Sequence, residues 1–263
     1  MNSHNHTLTE YTYKFILPVI IPAGIILAWF LATTYGSLPM AILPSLGRVG
    51  TTFVEMLKSG QLQQDLGISF TRIMKGYLCA AFLGVLLGSL TGMFPVARRA
   101  VIPFLTIIRQ IPIMAWIPLL ILWFGIGESS KVMIVVLASF FPILVNTEDG
   151  MESTPTSYVE VAQLYKLNPW QTFTGVYLPH ALPHILVGLR LGLGVSWMAV
   201  VGAELIAATT GIGYRMSNAR SLMQSNVVMV CMLVIGLVGI LMDKAVSLIF
   251  GAITPWMKAK KGN

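Results

Sequence analysis

Charged residues are scarce in this 263-residue chain, and their scarcity excludes most soluble proteins. Asp, Glu, Lys and Arg together make up 10% of the sequence, whereas hydrophobic residues make up 56%. Soluble domains carry about 25% charged residues, so this composition indicates an integral membrane protein. The apolar runs lack the alternation of transmembrane barrel strands. An all-α membrane protein, whose helices satisfy their own backbone hydrogen bonds in lipid, is therefore the predicted class.

Cysteine is almost absent, and no phosphate-binding loop is present. Cys79 and Cys231 lie in separate apolar runs, which predicts no disulfide framework. The segment Gly125-Ile-Gly-Glu-Ser-Ser-Lys131 resembles a phosphate-binding loop only superficially, because its spacing differs from Gly-x-x-x-x-Gly-Lys-Ser/Thr. We therefore predict no catalytic residues and no cofactor bound by this chain.

Two histidines are spaced as metal ligands often are. His180 and His184 stand four residues apart, a spacing that suits a metal on one helix face. Pro183 intervenes and no third ligand is near, so we interpret them as interfacial histidines at a helix start. No metal site is predicted.

Six apolar runs are each close to the twenty residues that a helix needs to cross a bilayer. The first is too long for the hydrophobic region of a signal peptide, so we interpret it as a retained helix. Residues 1–14 form a polar tail, residues 15–250 the membrane domain, and residues 251–263 a basic tail. The six runs are Phe15–Thr34, Gly76–Phe94, Val101–Phe124, Val132–Asn146, Leu182–Ala207 and Val227–Phe250.

Basic residues favour an orientation with both termini in the cytosol, although only by a small excess. The adjacent Arg98 and Arg99 and the Lys-Ala-Lys-Lys sequence near the C-terminus support this orientation. The formal net charge of +7 suits a membrane protein with basic cytosolic edges, and it does not indicate nucleic-acid binding. Between the first two runs, residues 35–75 are polar, and residues 66–75 are expected to form an amphipathic helix leading into the second run.

The most informative polar segment spans residues 149–180 and reads as two short amphipathic helices. Ser157 and Glu160 match a Ser-x-x-Glu capping box, which predicts the start of the first helix. Tyr158, Val161, Ala162 and Tyr165 then follow the spacing of one apolar helix face, with Glu160 on the opposite face.

The second helix of this segment is expected to begin at Asn168, a favourable cap followed by a proline. We expect it to end at Leu178 and Pro179. From the pattern alone, the segment is either a surface helical hairpin on the lipid headgroups or a device that binds a cytosolic partner.

Several motifs resemble the permease subunits of ABC importers, in particular the nitrate, sulfonate and taurine subfamily. Glu160-Val-Ala162 followed by Leu178-Pro179 is similar to the EAA loop of these permeases, and the resemblance covers nearly the whole chain after about residue 40. The other motifs are Arg109-Gln-Ile-Pro-Ile-Met-Ala-Trp-Ile-Pro-Leu119, Leu122-Trp-Phe-Gly-Ile-Gly-Glu-Ser-Ser-Lys131, Leu178-Pro-His-Ala-Leu-Pro183 and Gly202-Ala-Glu-Leu-Ile206.

The resemblance implies a type I ABC importer transmembrane domain with about six transmembrane helices and a cytosolic coupling loop. It also implies a bacterial cytoplasmic-membrane location, a second permease copy in a homodimer, two cytosolic ATPase subunits that carry ATP and Mg²⁺, and an extracytoplasmic substrate-binding protein. Residues expected to contact the ATPase are Tyr158, Glu160, Val161, Ala162, Tyr165, Asn168, Leu178 and Pro179.

One position departs from the family pattern. The family usually has a glycine six residues after the EAA glutamate, where the first coupling helix turns, and this chain has Lys166. Because a residue with a Cβ is penalised in left-handed backbone geometry, we expect the turn to use Asn168 instead.

Two arginines interrupt apolar runs. Arg109 and Arg190 each lie about eight residues, or roughly 12 Å, into a predicted helix. An arginine at mid-membrane costs about 2.5–3.5 kcal/mol, so it is normally paired or faces water. Each therefore either lines the translocation path and favours an anion, or pairs with carbonyls or an acid and pins the helices together.

Other candidates for the translocation path are Gln110, Trp116, Trp197 and Glu204. The tryptophans either line the path or simply pack. Glu204 either pairs with a basic residue or shapes the outer mouth. The glycines of the second run, spaced every fourth residue from 84 to 92, predict close helix packing.

The expected cargo is a small oxyanion such as an aliphatic sulfonate, taurine or nitrate. Phosphite, phosphonates and thiamine-precursor pyrimidines are alternative cargoes. Two functions of a different class also remain open, a secondary transporter and a membrane scaffold without an ATPase. A secondary transporter would need its own ion-coupling site.

Overall fold

A computed structural model describes residues 3–36, 39–40 and 42–254, with side chains from residue 19 onward except that of residue 253. Every regular element in this part of the chain is helical. The helices are α1 (Ser3–Tyr35), α2 (Leu46–Lys58), α3 (Gln61–Met93), α4 (Pro95–Gln110), α5 (Ile113–Phe124), α6 (Glu128–Glu152), α7 (Thr156–Leu164), α8 (Pro169–Thr172), α9 (Leu178–Ala207), α10 (Ile212–Ser221) and α11 (Ser225–Ile253), and a π-helical segment, Phe173–Tyr177, joins α8 to α9.

Helices α3, α6 and α9 form the centre of the bundle and pack most extensively on one another. The predicted glycines on α3 lie against α6, with Gly84 facing Ile143, Gly88 facing Thr147 and Gly92 facing Met151. Residues later in α3 contact residues later in α6, so the two helices run parallel. Because any side chain on Gly88 would meet the backbone of α6, this close approach depends on glycine.

Helix α9 runs antiparallel to α6, and the approach again uses glycine. Gly188 lies against Asn146, whereas Gly150, further along α6, lies against Ala181 near the start of α9. The C-terminal ends of α3 and α6 and the start of α9 therefore share one end of the bundle. We call this the hairpin end, because the α7–α8 hairpin lies there, and we call the opposite end the far end.

The described residues include four helices long and apolar enough to cross a membrane, Gln61–Met93, Glu128–Glu152, Pro169–Ala207 and Ser225–Ala252. The expected third span is not one straight helix. Helices α4 and α5 meet at Ile111 and Pro112 with a bend of 99°, and together they form a fifth candidate span. Proline lacks the N–H that would continue the helical ladder, which is why the break falls there.

The expected first span corresponds to α1, whose described apolar part is Val19–Tyr35. Its described side chains are mostly exposed, and Trp29 connects it to the rest of the fold by donating a hydrogen bond to Pro44 O at 3.0 Å. The polar residues expected to form a tail before residue 15 belong to this helix from Ser3 onward. Most of the expected basic C-terminal tail, from residue 255, lies outside the described residues.

The polar stretch after α1 contains more helix than expected. Helix α2 is amphipathic and packs Val49 and Met56 against the core next to α11. The expected amphipathic helix at residues 66–75 is the first part of α3, which is continuous from Gln61.

Candidate functional site

The α7–α8 hairpin follows α6 directly and projects two short helices at one end of the bundle. Helix α7 begins at Thr156 with Pro155 in the N-cap position, and no side chain caps it. The predicted capping box of Ser157 and Glu160 is therefore wrong, because the N-cap lies two residues earlier, at Pro155, and Ser157 lies inside the first turn of the helix.

The turn of the hairpin lies at Lys166, not at Asn168 as expected. Lys166 has φ 51°, in the left-handed region. Its N–H donates to Gln163 O at 2.9 Å, and Leu167 N–H donates to Ala162 O at 3.0 Å. These two bonds form a Schellman motif, which satisfies the last carbonyls of α7 and holds Lys166 where glycine is usual.

Asn168 instead starts α8, as the sequence predicts for a cap. Its backbone is extended, its Oδ1 accepts from Gln171 N at 2.8 Å, and Gln171 Oε1 accepts from Asn168 N at 3.0 Å. This reciprocal pair is a capping box. Lys166 and Asn168 together reverse the chain within a few residues.

The second hairpin helix does not end at Leu178 and Pro179. It continues through the π-helical segment into α9, and the whole of Pro169–Ala207 reads as one long helix. Leu178 N–H donates to Phe173 O, five residues back. This wider turn lies just before Pro179, which has no N–H to donate, so the proline is accommodated without ending the helix.

Both helices of the hairpin expose apolar side chains. Tyr158 and Tyr165 are 57% and 78% exposed, and Val161 between them is also exposed. Trp170 of α8 is 68% exposed and lies beside Phe173, with ring centroids 5.5 Å apart. An exposed cluster of this kind marks an interaction surface. We call it the hairpin surface.

Two of the predicted contact residues lie elsewhere on the hairpin. Ala162 is 3% exposed and faces the interior of its own chain. Glu160 is exposed on the other face, and no ion pair joins it to another described residue. His180 lies at the base of the hairpin, where its Nε2 is 3.4 Å from Ser153 Oγ.

An ion cluster ties the base of the hairpin to the start of α4. Arg98 lies 3.1 Å from the carboxylate of Glu148 and also pairs with Glu152. Both acids belong to the last turns of α6, immediately before the hairpin. Glu148 is 5% exposed, so Arg98 supplies the positive charge that this nearly buried carboxylate requires.

Among the path candidates, Arg190 is paired and Trp197 is packed. Arg190 of α9 binds both carboxylate oxygens of Asp243 on α11, at 2.7 and 2.6 Å. Trp197 is 5% exposed in the α9–α11 core and donates its indole N–H to Ile235 O at 2.9 Å. Both side chains join α9 to α11.

Glu204 lies at the far end in a buried network around Arg72. Arg72 is 2% exposed, and all five of its N–H groups have acceptors, on Glu204, Glu128 and Thr210. Glu204 also accepts from Ser69 Oγ at 2.7 Å and from Gly213 N at 3.0 Å. The network joins α3, α6, α9 and the start of α10, and we call it the far-end network.

Two glycines make room for the Glu204 carboxylate. Gly211 has φ 106°, and a Cβ there would lie 2.5 Å from the Glu204 carboxylate. A Cβ on Gly213 would lie 2.6 Å from Val201 O. Only glycine fits at these two positions, so the sequence Gly-Ile-Gly at 211–213 belongs to the network.

Arg109 and Trp116 line an open cleft of about 490 Å³ beside the α4–α5 bend. The remaining wall comes from α6 and α9, including Asn146 and Leu191. Gln110 is exposed next to the bend. The structure thus brings Arg109 and Trp116 together, whereas Arg190, Trp197 and Glu204 lie in other contacts. We call this space the bend cleft.

The family model described as the binding-protein-dependent transport system inner membrane component matches residues 80–259. The chain belongs to this family. It is therefore a permease, a membrane component of a transport system. The matched region includes the hairpin, the bend cleft and Glu204.

Known permeases match along most of their length. A protein of Escherichia coli (strain K12) named for aliphatic sulfonates transport, SsuC, is 40% identical over 89% of both chains. The taurine transport permease TauC of the same strain is 37% identical over 74% of this chain and 71% of its own. The nitrate import permease NrtB of Synechocystis sp. (strain ATCC 27184 / PCC 6803 / Kazusa) is 29% identical over 93% and 91%.

A solved structure confirms the fold. A chain of the MetNI methionine ABC transporter, in inward-facing conformations, matches with a TM-score of 0.53 over 73% of this permease and 95% of that chain. The two are 20% identical, so the likeness concerns the fold alone. The permease has the type I importer fold that its motifs indicate.

Sequence reasoning missed Arg72 and Arg98 as organising residues. Arg72 lies in the part of α3 that reads as a polar approach to the membrane, and Arg98 reads as one half of a basic pair. The available signal was Glu204, since a glutamate that interrupts an apolar run usually has a partner inside the protein. The identity of the partners depends on helix packing.

Proposed function

We propose that this permease is the transmembrane subunit of an ATP-driven, binding-protein-dependent importer for a small oxyanion. The hairpin surface is the single observation that carries the proposal. Its aromatic and aliphatic side chains project from a short helix, the geometry by which an amphipathic helix enters a hydrophobic groove. The groove belongs to a cytosolic ATPase subunit, which binds ATP and Mg²⁺. This permease itself binds no cofactor.

The connection from the hairpin to the membrane supports a mechanical role. Helix α8 continues through the π-helical segment into α9, so a displacement of the hairpin moves a membrane-spanning helix directly. Arg98 links the other side of the hairpin, at the last turns of α6, to α4. Closure of the ATPase pair would therefore move α4, α6 and α9 together. This movement would open the translocation path to one side of the membrane and close it to the other.

The assembly that we propose contains two permease copies and two ATPase subunits, with the hairpin end in the cytosol and both termini on that side. A substrate-binding protein delivers cargo at the far end. The names of the relatives support a sulfonate, taurine or nitrate as cargo. Phosphite, phosphonates and thiamine-precursor pyrimidines are the competing cargoes.

The test is co-purification of an ATPase subunit with the permease, followed by ATP hydrolysis in proteoliposomes. Loaded binding protein is expected to stimulate hydrolysis and to drive uptake of taurine, an alkanesulfonate or nitrate. Uptake that follows an ion gradient without ATP would indicate a secondary transporter. Absence of both ATPase binding and uptake would indicate a scaffold. Uptake of only phosphonate or pyrimidine would retain the importer and replace its cargo.

A further inference from the structure

Arg109 differs from Arg72, Arg98 and Arg190 because it has no acceptor among the described residues. Arg72 pairs with Glu128 and Glu204, Arg98 with Glu148 and Glu152, and Arg190 with Asp243. Arg109 is exposed in the last turn of α4 and forms no ion pair or hydrogen bond with the described part of the chain. An unpaired guanidinium in a membrane protein faces water or an anion.

The bend cleft places Arg109 at the depth of the middle of the bundle. The α6 residues in its wall run from Leu137 to Asn146, in the central and later part of a 25-residue helix. On α9 the wall is formed by Leu191 and Val195, near the midpoint of Leu178–Ala207. These two α9 residues lie roughly 20 Å from either end of α9, since each helix residue advances about 1.5 Å.

The rest of the cleft wall suits a small anion with an apolar part. Trp116 and the aliphatic residues are apolar, and Asn146 adds a polar group. One N–H of the Asn146 amide donates to Pro142 O at 2.8 Å, which leaves its second N–H for a ligand. The cleft volume of about 490 Å³ exceeds that of a short alkanesulfonate with a few waters. A single guanidinium in weakly polarisable surroundings attracts an anion more strongly than it would in bulk water.

We propose that the bend cleft is a membrane-level binding site for a small oxyanion, with Arg109 as its charged group. The assignment of that anion as cargo rests on the proposed function. A lipid phosphate offers the same chemistry to an arginine, so the experiment must separate a free oxyanion from a headgroup. Such a site would give the permease its own selectivity for oxyanions, in addition to that of the binding protein.

The first test measures the charge preference of the cleft without transport. In the purified transporter complex, with Cys79→Ser and Cys231→Ala, the Leu191→Cys variant places one thiol in the cleft wall. Its modification rates by an anionic sulfonate-bearing thiosulfonate reagent and by a cationic ammonium-bearing one are compared. Arg109→Gln is expected to lower the anionic-to-cationic rate ratio about fivefold. Arg109→Lys keeps the positive charge and is expected to retain most of the anionic-to-cationic rate ratio.

Two controls accompany this measurement. Thr51→Cys, an exposed position on α2 between Arg48 and Glu55, should give a ratio that does not depend on Arg109. Added methanesulfonate or nitrate should slow modification at Leu191→Cys and not at Thr51→Cys, a readout that needs no change at Arg109. An unchanged ratio in Arg109→Gln, or protection by phosphatidylglycerol but not by methanesulfonate, would overturn the proposal.

The second test measures uptake of a labelled alkanesulfonate or nitrate in proteoliposomes with the binding protein and ATP. Arg109→Gln is expected to lower uptake at least tenfold, whereas Arg99→Gln, which removes an exposed charge from the same helix, should leave it unchanged. Normal uptake in Arg109→Gln would overturn the cleft as a cargo site. If an oxyanion protects the thiol at Leu191→Cys but the permease transports no oxyanion, the anion site is supported and the proposed cargo is refuted.

Discussion

At the residue scale, Lys166 occupies a backbone position that usually belongs to glycine. A residue with a Cβ is destabilised in the left-handed region by about 1–2 kcal/mol relative to glycine. Part of this advantage of glycine is offset, because glycine has more conformational entropy in the unfolded chain. We therefore expect Lys166→Gly to stabilise the hairpin by up to about 1 kcal/mol. Hydrogen–deuterium exchange of peptides from α7 and α8 should become slower.

Lys166→Ala is the matched control, because it removes the long side chain and keeps the Cβ. Its exchange should remain close to that of the unmodified permease. Faster exchange in both variants would show that contacts of the lysine side chain, and not the Schellman bonds around it, hold the turn.

The far-end network should be sensitive to loss of one charge and tolerant to loss of two. Arg72→Met leaves Glu204 buried without a counter-charge and is expected to cost about 3–5 kcal/mol of stability. The double variant Arg72→Met, Glu204→Leu removes both charges and should recover much of that loss, because Glu128 is exposed and can remain charged in water. Thermal unfolding of the detergent-purified complex measures the difference. A double variant no more stable than the single one would contradict this account.

At the element scale, the α3–α6 contact depends on glycine at specified positions. A Cβ on Gly88 would lie 2.7 Å from Leu144 O and 2.7 Å from Thr147 Cβ, so Gly88→Ala must move one helix away from the other. Such overpacking typically costs about 1–3 kcal/mol. Gly236→Ala on α11 is the control, since nothing lies within 4 Å of its Cβ position. Melting temperatures of the two variants, compared at equal yield, test the parallel packing of these helices.

Five of the six predicted apolar runs correspond to candidate spans among the described residues, and the first corresponds only to the shorter apolar stretch Val19–Tyr35. Those five runs, and the close packing of α3 at its spaced glycines, could be predicted from the sequence. The 99° bend could not. Pro112 indicates a kink, but its size depends on how α5 packs Ile117 and Leu120 against α6 and α9. Similarly, Pro179 indicates a helix end, and the π-helical turn before it allows the helix to continue.

The partners of the charged residues could not be predicted either. Arg190 and Asp243 are far apart in the sequence, as are Arg72 and Glu204, and the pairing follows from which helices are neighbours. The cap at Asn168 is local and could be predicted from its own sequence. The turn at Lys166 required knowledge of the whole hairpin, because the Schellman bonds compensate for an unfavourable residue.

At the scale of the whole molecule, rigid connections extend from one end of the permease to the other. The hairpin continues into α9, and Glu204 in the last turn of α9 belongs to the far-end network, which joins it to α3 and α6. The bend cleft lies between these two ends, against the middle of α6 and α9. A movement of the hairpin would therefore alter the walls of the cleft while the network keeps the far ends of three helices together.

Coupling between the hairpin and the proposed ATPase can be tested on the exposed face of α7. Ala162 is a poor position for this purpose, because it is buried within its own chain and a large substituent there would damage the hairpin itself. Val161→Asp places a charge at the centre of the hairpin surface, between Tyr158 and Tyr165. Loss of a central interface contact of this kind costs on the order of 2 kcal/mol, or about thirtyfold in affinity.

We expect the Val161→Asp permease to insert and purify normally but to lose most of its bound ATPase and its ATP-driven uptake. Gln163→Asp adds the same charge on the other side of α7 and should leave both properties intact. The fraction of ATPase retained through size-exclusion chromatography gives the first readout, and uptake per reconstituted permease gives the second. Equal retention in the two variants would mean that the hairpin surface is not the ATPase contact, since its chemistry would then make no difference to binding.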